Sequence, residues 1–81
     1  MKLVYSRKFL GEIEHFSDTI KKKFKRQISY LLKDLRHPSL HAKKYHESLD
    51  IWQARVDKDI RFYFSIDSDV YTVLKIKKHP K

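Results

Sequence analysis

The sequence predicts an α+β fold, in which a short N-terminal strand and a helical hairpin pack on one face of a twisted antiparallel β-sheet. Two observations support this prediction. In the first half of the chain, apolar residues recur at intervals of three and four, which is the period of an amphipathic helix. After residue 50 they alternate with polar residues, which is the period of a half-buried strand. With 81 residues, the chain is expected to form a single domain, 1–81, with a small core.

The first half of the chain is predicted to form a short strand and two helices. Lys2–Tyr5 is expected to add a strand to the sheet, and Ser6 is of the residue type that caps helix N-termini. Pro38 is expected to end the second helix. Residues 37–50 carry no periodicity and are predicted to be an irregular loop. The two apolar stripes are Phe9, Ile13 and Phe16 in the first helix, and Ile20, Phe24, Ile28, Leu31 and Leu35 in the second.

The alternating half of the chain is predicted to form three antiparallel strands, 50–56, 60–66 and 70–77. A three-residue turn after the first strand sets Arg55 opposite Arg61, and a turn of the same length after the second sets Arg61 opposite Lys75. This register defines which residues of the last strand are expected to face the helices: Val70, Thr72, Leu74 and Ile76.

Three cations would then lie side by side on the face that points away from the helices. Like charges on directly opposite residues destabilise a sheet, so folding alone does not account for this row. We interpret it as a phosphate-binding platform, with Tyr63 and Tyr71 nearby as surfaces on which bases stack. The alternative interpretation is a polar face whose cations spread apart in water.

The charge balance indicates a polyanionic partner. Nineteen lysine and arginine residues stand against ten aspartate and glutamate residues, and nucleic acid is the usual partner of a chain with a net charge of +9. The absence of cysteine excludes disulfides and thiolate metal sites, and the single glycine excludes glycine-rich phosphate loops. No segment resembles a signal peptide or a membrane span, so we expect a cytoplasmic protein without a membrane partner. The basic run at 21–26 is expected to attract phosphate or to contact an acidic protein.

The polar residues fit a metal-independent ribonuclease, which must hold a phosphate, activate a 2′-hydroxyl and protonate the leaving oxygen. No cluster of carboxylates or histidines has the spacing of a metal site, and no cofactor is expected. His79 follows several lysines, which disfavour its protonation, so it is expected to transfer protons near neutral pH. His46 is a second candidate for this step, and Glu47 is a candidate base.

Five segments together resemble the RelE/ParE superfamily of toxins from type II toxin–antitoxin systems. The resemblance covers nearly the whole chain and depends on the order and spacing of the segments. In chain order they are the strand Lys2-Leu3-Val4-Tyr5-Ser6, the hairpin end Leu35-Arg36-His37-Pro38, the tryptophan strand Ile51-Trp52-Gln53-Ala54-Arg55-Val56, the strand Asp59-Ile60-Arg61-Phe62-Tyr63-Phe64, and the closing Val73-Leu74-Lys75-Ile76-Lys77-Lys78-His79.

The resemblance implies a cytoplasmic toxin that cleaves mRNA in the ribosomal A site and is neutralised by a cognate antitoxin protein. It implies catalytic roles for Arg61, His79 and Arg55, with Glu47 in the place of a loop glutamate that some relatives use. The residues expected to hold RNA are Lys43, Lys44, His46, Tyr63, Lys75 and Lys77. Two alternatives stay open: a ParE-like protein of the same fold that inhibits DNA gyrase, and a basic RNA-binding domain without catalytic activity.

Overall fold

The structure, a computed structural model, describes residues 2–78. Its elements, in chain order, are β1 (Lys2–Tyr5), α1 (Arg7–Ile13), α2 (Asp18–Lys33), β2 (Lys43–His46), β3 (Ile51–Arg55), β4 (Ile60–Asp67) and β5 (Val70–Lys78). The strands form one sheet in the order β1-β5-β4-β3-β2. The predicted α+β fold is confirmed with one difference. β1 joins the sheet parallel to β5, so the sheet is mixed and not antiparallel throughout.

A serine side chain caps the N-terminus of each helix, and Ser6 was predicted to do so. The hydroxyl of Ser6 accepts a hydrogen bond from the N–H of Phe9 at 3.1 Å, and that of Ser17 accepts one from the N–H of Ile20 at 3.3 Å. No helix within residues 2–78 combines the length and the apolar character that crossing a membrane requires.

The second helix ends at Lys33 and does not continue to Pro38, so the predicted end was wrong. Asp34 has an extended backbone, and its carboxylate accepts a hydrogen bond from the N–H of Arg36 at 2.9 Å. This local bond competes with the next helical turn, which is why aspartate favours turns over helix interiors. Leu35, predicted as helical, therefore lies beyond the helix and packs against the core from outside it.

The core lies between the helices and one face of the sheet. The ring of Phe24 in α2 meets that of Phe62 in β4 edge to face, with centroids 5.3 Å apart, and Phe9 of α1 lies 4.9 Å from Phe24. Phe62 and Phe64 have no exposed surface. Because successive residues of a strand point to opposite faces, their neighbour Arg61 points away from the helices.

The first helix covers the edge of β5 that β1 leaves open. β1 pairs with β5 only as far as Val73. Beyond that point, the hydroxyl of Ser6 donates to the carbonyl of Leu74 at 2.8 Å, and the carboxylate of Glu12 accepts the N–H of Ile76 at 3.0 Å. Side chains thus satisfy backbone groups that would otherwise be free to pair with another strand.

Residues 37–50 have more regular structure than the sequence predicts, so their assignment as an irregular loop was wrong. They contain two short 3₁₀ helices, Pro38–Leu40 and Glu47–Leu49, with β2 between them. β2 pairs antiparallel with β3, with Lys43 opposite Gln53. All four residues of this edge strand are exposed, so it lacks the apolar alternation by which strands are recognised.

The two hairpins differ in how well their register was predicted. In the first, Arg55 pairs with Arg61, as expected. The second has a two-residue turn in place of three, with Ser68 at a φ of 54°, and a bulge at Leu74 shifts the register again. As a result Arg61 pairs with Lys77, and the predicted pairing with Lys75 was wrong.

The bulge also changes which residues of β5 face the helices. Tyr71 and Val73 are buried before it and Ile76 is buried after it. The predicted helix-facing set was therefore correct only for Ile76. A bulge inserts one extra residue, so the alternation before it and the alternation after it are out of phase.

Candidate nucleic-acid interface

The side of the sheet that points away from the helices is strongly positive. Seven of its residues form two rows across the strands, and we call them the basic face: Arg55, Arg61 and Lys77 in the first row, and Lys43, Gln53, Tyr63 and Lys75 in the second. Within residues 2–78 the ion pairs are Lys23 with Asp57 and Lys44 with Asp50. No described carboxylate therefore neutralises a cation of the basic face.

A pocket of about 460 Å³ opens on the basic face where β2 begins. Its lining residues are His41, Ala42, Lys43, Gln53, Arg55 and Arg61. His41 enters from the segment between the first 3₁₀ helix and β2, where it adopts a left-handed backbone conformation with a φ of 47°. None of the six is acidic and two are arginines, so the pocket attracts an anion. Its volume falls within the range of small-ligand sites.

Arg61 is held in place by the backbone of the turn between β3 and β4. Its Nη1 donates hydrogen bonds to the carbonyls of Asp57 at 2.8 Å, Lys58 at 3.0 Å and Ile60 at 3.3 Å. The residue is only 9% exposed and still lines the pocket. Because a guanidinium is a rigid fork of five N–H donors, anchoring one nitrogen orients the others. A donor fixed in advance can stabilise charge without reorganising during a reaction.

Gln27 of α2 joins the two walls of the pocket. Its side chain is buried, and Nε2 donates to the carbonyls of Ser39 at 3.0 Å and Arg55 at 2.8 Å. The hydroxyl of Ser39 donates back to Gln27 Oε1 at 3.1 Å. Ser39 belongs to the 3₁₀ helix that precedes His41, on one wall of the pocket, and Arg55 ends β3, on the other wall. The side-chain amide of Gln27 therefore holds both walls in place. Gln27 could not be recognised from the sequence, since a glutamine beside an apolar stripe looks like part of the solvated face.

Tyr63 lies beneath other side chains of the basic face. It is 2% exposed, because Tyr45 stands against its ring with centroids 4.8 Å apart, and the Nζ atoms of Lys75 and Lys77 lie 4.8 and 5.5 Å from its centre. Burial raises the pKa of the Tyr63 hydroxyl, Tyr45 raises it further, and Arg61 opposes the shift. The phenol is therefore neutral near pH 7. Its contact with RNA stays a prediction that requires the covering side chains to move.

Tyr71 does not belong to this face, so its predicted stacking role was wrong. It is buried on the helix side of the sheet, with its ring centroid 5.9 Å from that of Phe64. The physical reason is the two-residue turn, which pairs Tyr71 with Ile66; the bulge at Leu74 restores the predicted phase only beyond that point.

Three residues predicted to belong to the site lie away from the pocket. Lys44 points to the other face from Lys43, with Nζ 2.6 Å from a carboxylate oxygen of Asp50, a hydrogen bond that raises the pKa of Lys44. His46 lies at the far end of β3, with Nδ1 3.2 Å from the hydroxyl of Ser48. Glu47 follows it and is exposed. This end of β3 is about 13 Å along the strand from Arg55.

The two histidines of most interest are His79 and His41. His79 lies outside the described residues, so its role stays a prediction. His41 lines the pocket, and it could not be recognised from the sequence because no spacing distinguishes it from the other histidines. Its neighbour Leu40 is completely buried and anchors this segment to the core.

Neither a family sequence model nor the sequence of a curated protein matches this chain. Solved structures match its fold. The YoeB/ParE toxin from Agrobacterium tumefaciens aligns with a TM-score of 0.82 at 16% identity, over 99% of this chain and 100% of that one. The archaeal RelE–RelB complex from Pyrococcus horikoshii aligns with a TM-score of 0.82 at 15% identity, over 99% and 96%. The YoeB–YefM complex from Staphylococcus aureus aligns with a TM-score of 0.78 at 12% identity, over 99% and 98%. The chain therefore has the fold of the RelE/ParE toxin superfamily.

Proposed function

We propose that this chain is the toxin of a type II toxin–antitoxin system and that it cleaves mRNA in the ribosomal A site. The observation that supports this most directly is the pocket on the basic face, which Lys43, Arg55 and Arg61 line without any acidic neighbour. An anion pocket of this kind is what a phosphodiester-cleaving protein needs. Solved structures of the same fold include a YoeB/ParE toxin and a RelB–RelE antitoxin–toxin complex.

In the proposed reaction, the 2′-oxygen of one nucleotide attacks the adjacent phosphorus, and the bond from phosphorus to the 5′-oxygen breaks. A base takes the proton of the 2′-hydroxyl, and an acid gives a proton to the leaving 5′-oxygen. The products are a 2′,3′-cyclic phosphate and a 5′-hydroxyl. Arg55 and Arg61 stabilise the charge that develops on the non-bridging oxygens. Lys43, Lys75 and Lys77 hold neighbouring phosphates of the RNA backbone.

Proton transfer is assigned to two histidines. His41 is part of the pocket wall, and His79 keeps the role that the resemblance implies for it. Separate His41→Ala and His79→Ala variants identify the acid and the base, because losing either one removes one limb of the pH–rate profile. Glu47 is assigned no step, since it is exposed beyond the far end of β3.

Induction of the protein in growing bacteria, followed by mapping of mRNA 5′ ends, tests the proposal. We expect new ends within translated codons, and these ends should accept an adapter only after a kinase has phosphorylated their 5′-hydroxyls. Arg55→Ala should reduce cleavage by about 10²–10³-fold, the usual cost of one preorganised charge-stabilising donor. Lys33→Met, which removes an exposed charge at the end of α2, is the matched control.

Two outcomes would contradict the proposal. Arrested growth with intact mRNA and broken DNA would favour inhibition of DNA gyrase. Unimpaired growth would favour an RNA-binding domain without toxicity. Arg61→Ala is the less informative variant, because it also frees the turn carbonyls that Nη1 occupies and so confounds folding with chemistry.

We also propose that an acidic, amphipathic segment of the antitoxin binds the helix side. A groove of about 260 Å³ there combines an apolar floor with two cations, and its lining residues are Tyr5, Phe9, Ile13, Lys21, Phe24 and Lys25. Co-expression of the other gene of the same operon should suppress toxicity. Lys21→Glu combined with Lys25→Glu should remove that protection and leave the toxicity intact, whereas Lys33→Glu should change neither. Full protection of the double variant would contradict this binding site.

A further inference from the structure

Tyr45 and Tyr63 form an aromatic pair in which one ring is buried and the other is open. Their centroids are 4.8 Å apart and their planes meet at 67°. Tyr63 is 2% exposed, whereas Tyr45 is 51% exposed. Among the described residues, the aromatic partner of Tyr45 is Tyr63 alone. The buried ring thus supports an outer ring whose surface is half free.

The surroundings of this pair are cationic. The ammonium groups of Lys75 and Lys77 lie against the ring of Tyr63, which in turn contacts the ring of Tyr45. Tyr45 is the extra residue of an irregularity in β2, between Lys44 opposite Trp52 and His46 opposite Ile51, and its contact with Tyr63 places it on the basic face. Single exposed aromatic residues are common on protein surfaces and need no explanation by themselves. An open ring supported from below and surrounded by unneutralised cations has the composition of a surface that binds single-stranded nucleic acid.

The distance from the tyrosine pair to the pocket indicates which part of a nucleic-acid strand would contact Tyr45. Tyr63 lies two residues along β4 from Arg61, which is about 7 Å. This distance is comparable with the step between successive phosphates of an extended single strand. With one phosphate in the pocket, the base of a neighbouring nucleotide reaches Tyr45. Stacking requires that this base is not paired, which is the usual condition for recognition of RNA bases.

We propose that Tyr45 is the surface on which an unpaired RNA base stacks when the adjacent phosphate occupies the arginine pocket. This inference rests on the proposed function, since it places the base relative to a phosphate bound by Arg55 and Arg61. The contact is to the face of the base, so it tolerates different bases.

Binding of two synthetic oligomers tests the inference. One is an oligouridine of about ten nucleotides, within the site sizes of single-strand binding proteins. The other has the same length and phosphates but no bases, and both carry 2′-O-methyl ribose so that neither is cleaved. Tyr45→Ala should weaken binding of the oligouridine about tenfold and leave binding of the abasic oligomer unchanged. Tyr45→Phe should bind both oligomers as the parent chain does, because stacking does not need the hydroxyl.

Controls separate this inference from the proposed function. Leu49→Ala removes another exposed apolar side chain, 60% exposed, and should bind both oligomers normally. Arg55→Ala should weaken binding of both oligomers. If Tyr45→Ala has no effect, or affects both oligomers equally, while Arg55→Ala weakens binding, the stacking role is wrong and the phosphate pocket stands. If Arg55→Ala has no effect, the pocket itself is wrong. Failure of the parent chain to prefer the oligouridine also overturns the stacking role.

Discussion

The two faces of the sheet bury side chains by different means. On the helix side, β4 contributes Phe62 and Phe64, which are enclosed by other aromatic rings. On the opposite side, the same strand contributes Arg61 and Tyr63, which are nearly as buried. Arg61 is enclosed by turn carbonyls and Tyr63 by lysine ammonium groups and a second tyrosine.

This difference shows that burial alone does not separate the core from a functional surface. The aromatic side is stabilised by removal of apolar area from water. The basic face gathers five cations without a described counter-ion, and like charges on neighbouring strands oppose folding. Apolar packing on the helix side therefore offsets the repulsion between like charges on the basic face. Four predictions test this difference between the two faces.

The largest effect is expected in the aromatic core. Phe62→Ala should lower the free energy of unfolding by about 3–5 kcal/mol, because it removes a fully buried ring that contacts both Phe24 and Phe64. Urea denaturation followed by circular dichroism measures this change. Leu49→Ala, at an exposed position, should stay within about 0.5 kcal/mol of the parent chain. A small effect at Phe62 would mean that the sheet does not depend on this cluster.

Gln27 connects the two sides, and its loss should affect both. Gln27→Leu leaves the carbonyls of Ser39 and Arg55 without their donor, which should cost about 1–3 kcal/mol of stability. RNA cleavage at saturating substrate should fall by more than the loss of folded protein accounts for, because the hydrogen bonds that position both walls of the pocket are lost. Ser29→Ala, on the exposed face of the same helix, is the control. Unchanged cleavage by a folded Gln27→Leu protein would show that the walls hold without it.

Lys43 and Lys44 are adjacent in sequence but lie on opposite faces, so they form a matched pair. Lys43→Met should reduce the slope of log affinity for single-stranded RNA against log salt by about 0.7, the value for one phosphate contact. Lys44→Met should leave the slope unchanged, because Lys44 is paired with Asp50 beside Trp52. Titrations at several salt concentrations measure both slopes. Equal slopes for the two variants would place RNA elsewhere than on the basic face.

The smallest effect concerns alkaline pH. Burial raises the pKa of Tyr63 above its ordinary value of 10.0. A hydroxyl that holds its proton more tightly in the folded protein stabilises it fully below pH 10, and that contribution is lost as the pH rises through the raised value. Tyr63→Phe should therefore lose less stability than the parent chain between neutral pH and strongly alkaline pH. Parallel curves for the two proteins would show that the hydroxyl is as well solvated as in the unfolded chain.

The sequence was sufficient to predict the elements that carry a strong apolar period. The stripe that contains Phe24 and the alternation that contains Phe62 predict α2 and β4, because their burial drives folding. β2 could not be predicted in this way. Its residues, Lys-Lys-Tyr-His, are all exposed, so its sequence has no alternation of apolar and polar residues. The pairing of Arg61 with Lys77 also could not be predicted, because the two-residue turn and the bulge each shift the register by one residue, and a bulge results from the fit between strands and not from the composition of one strand.

The residues of the candidate site could likewise be predicted only in part. Arg55 and Arg61 were found because a regular hairpin brings them together. His41 and Gln27 were not, because their positions depend on contacts between segments far apart in the chain. Gln27 bonds to residues 12 and 28 positions away. A local sequence pattern does not indicate a contact between residues that far apart in the chain.

The extra residue in β5 has a consequence for how this chain tolerates insertions and deletions. Leu74 is the extra residue, so Val73 pairs with Phe64 and Lys75 pairs with the adjacent residue of β4, Tyr63. Deletion of Leu74 would join the two registers into one regular ladder and would keep both the buried Tyr71 and Val73 and the alignment of Lys77 with Arg61. Deletion of Thr72 instead would move Tyr71 or Val73 to the opposite face of the sheet. The effect of losing one residue from β5 therefore depends on its position, and the bulge is where the strand can be shortened while the basic face is preserved.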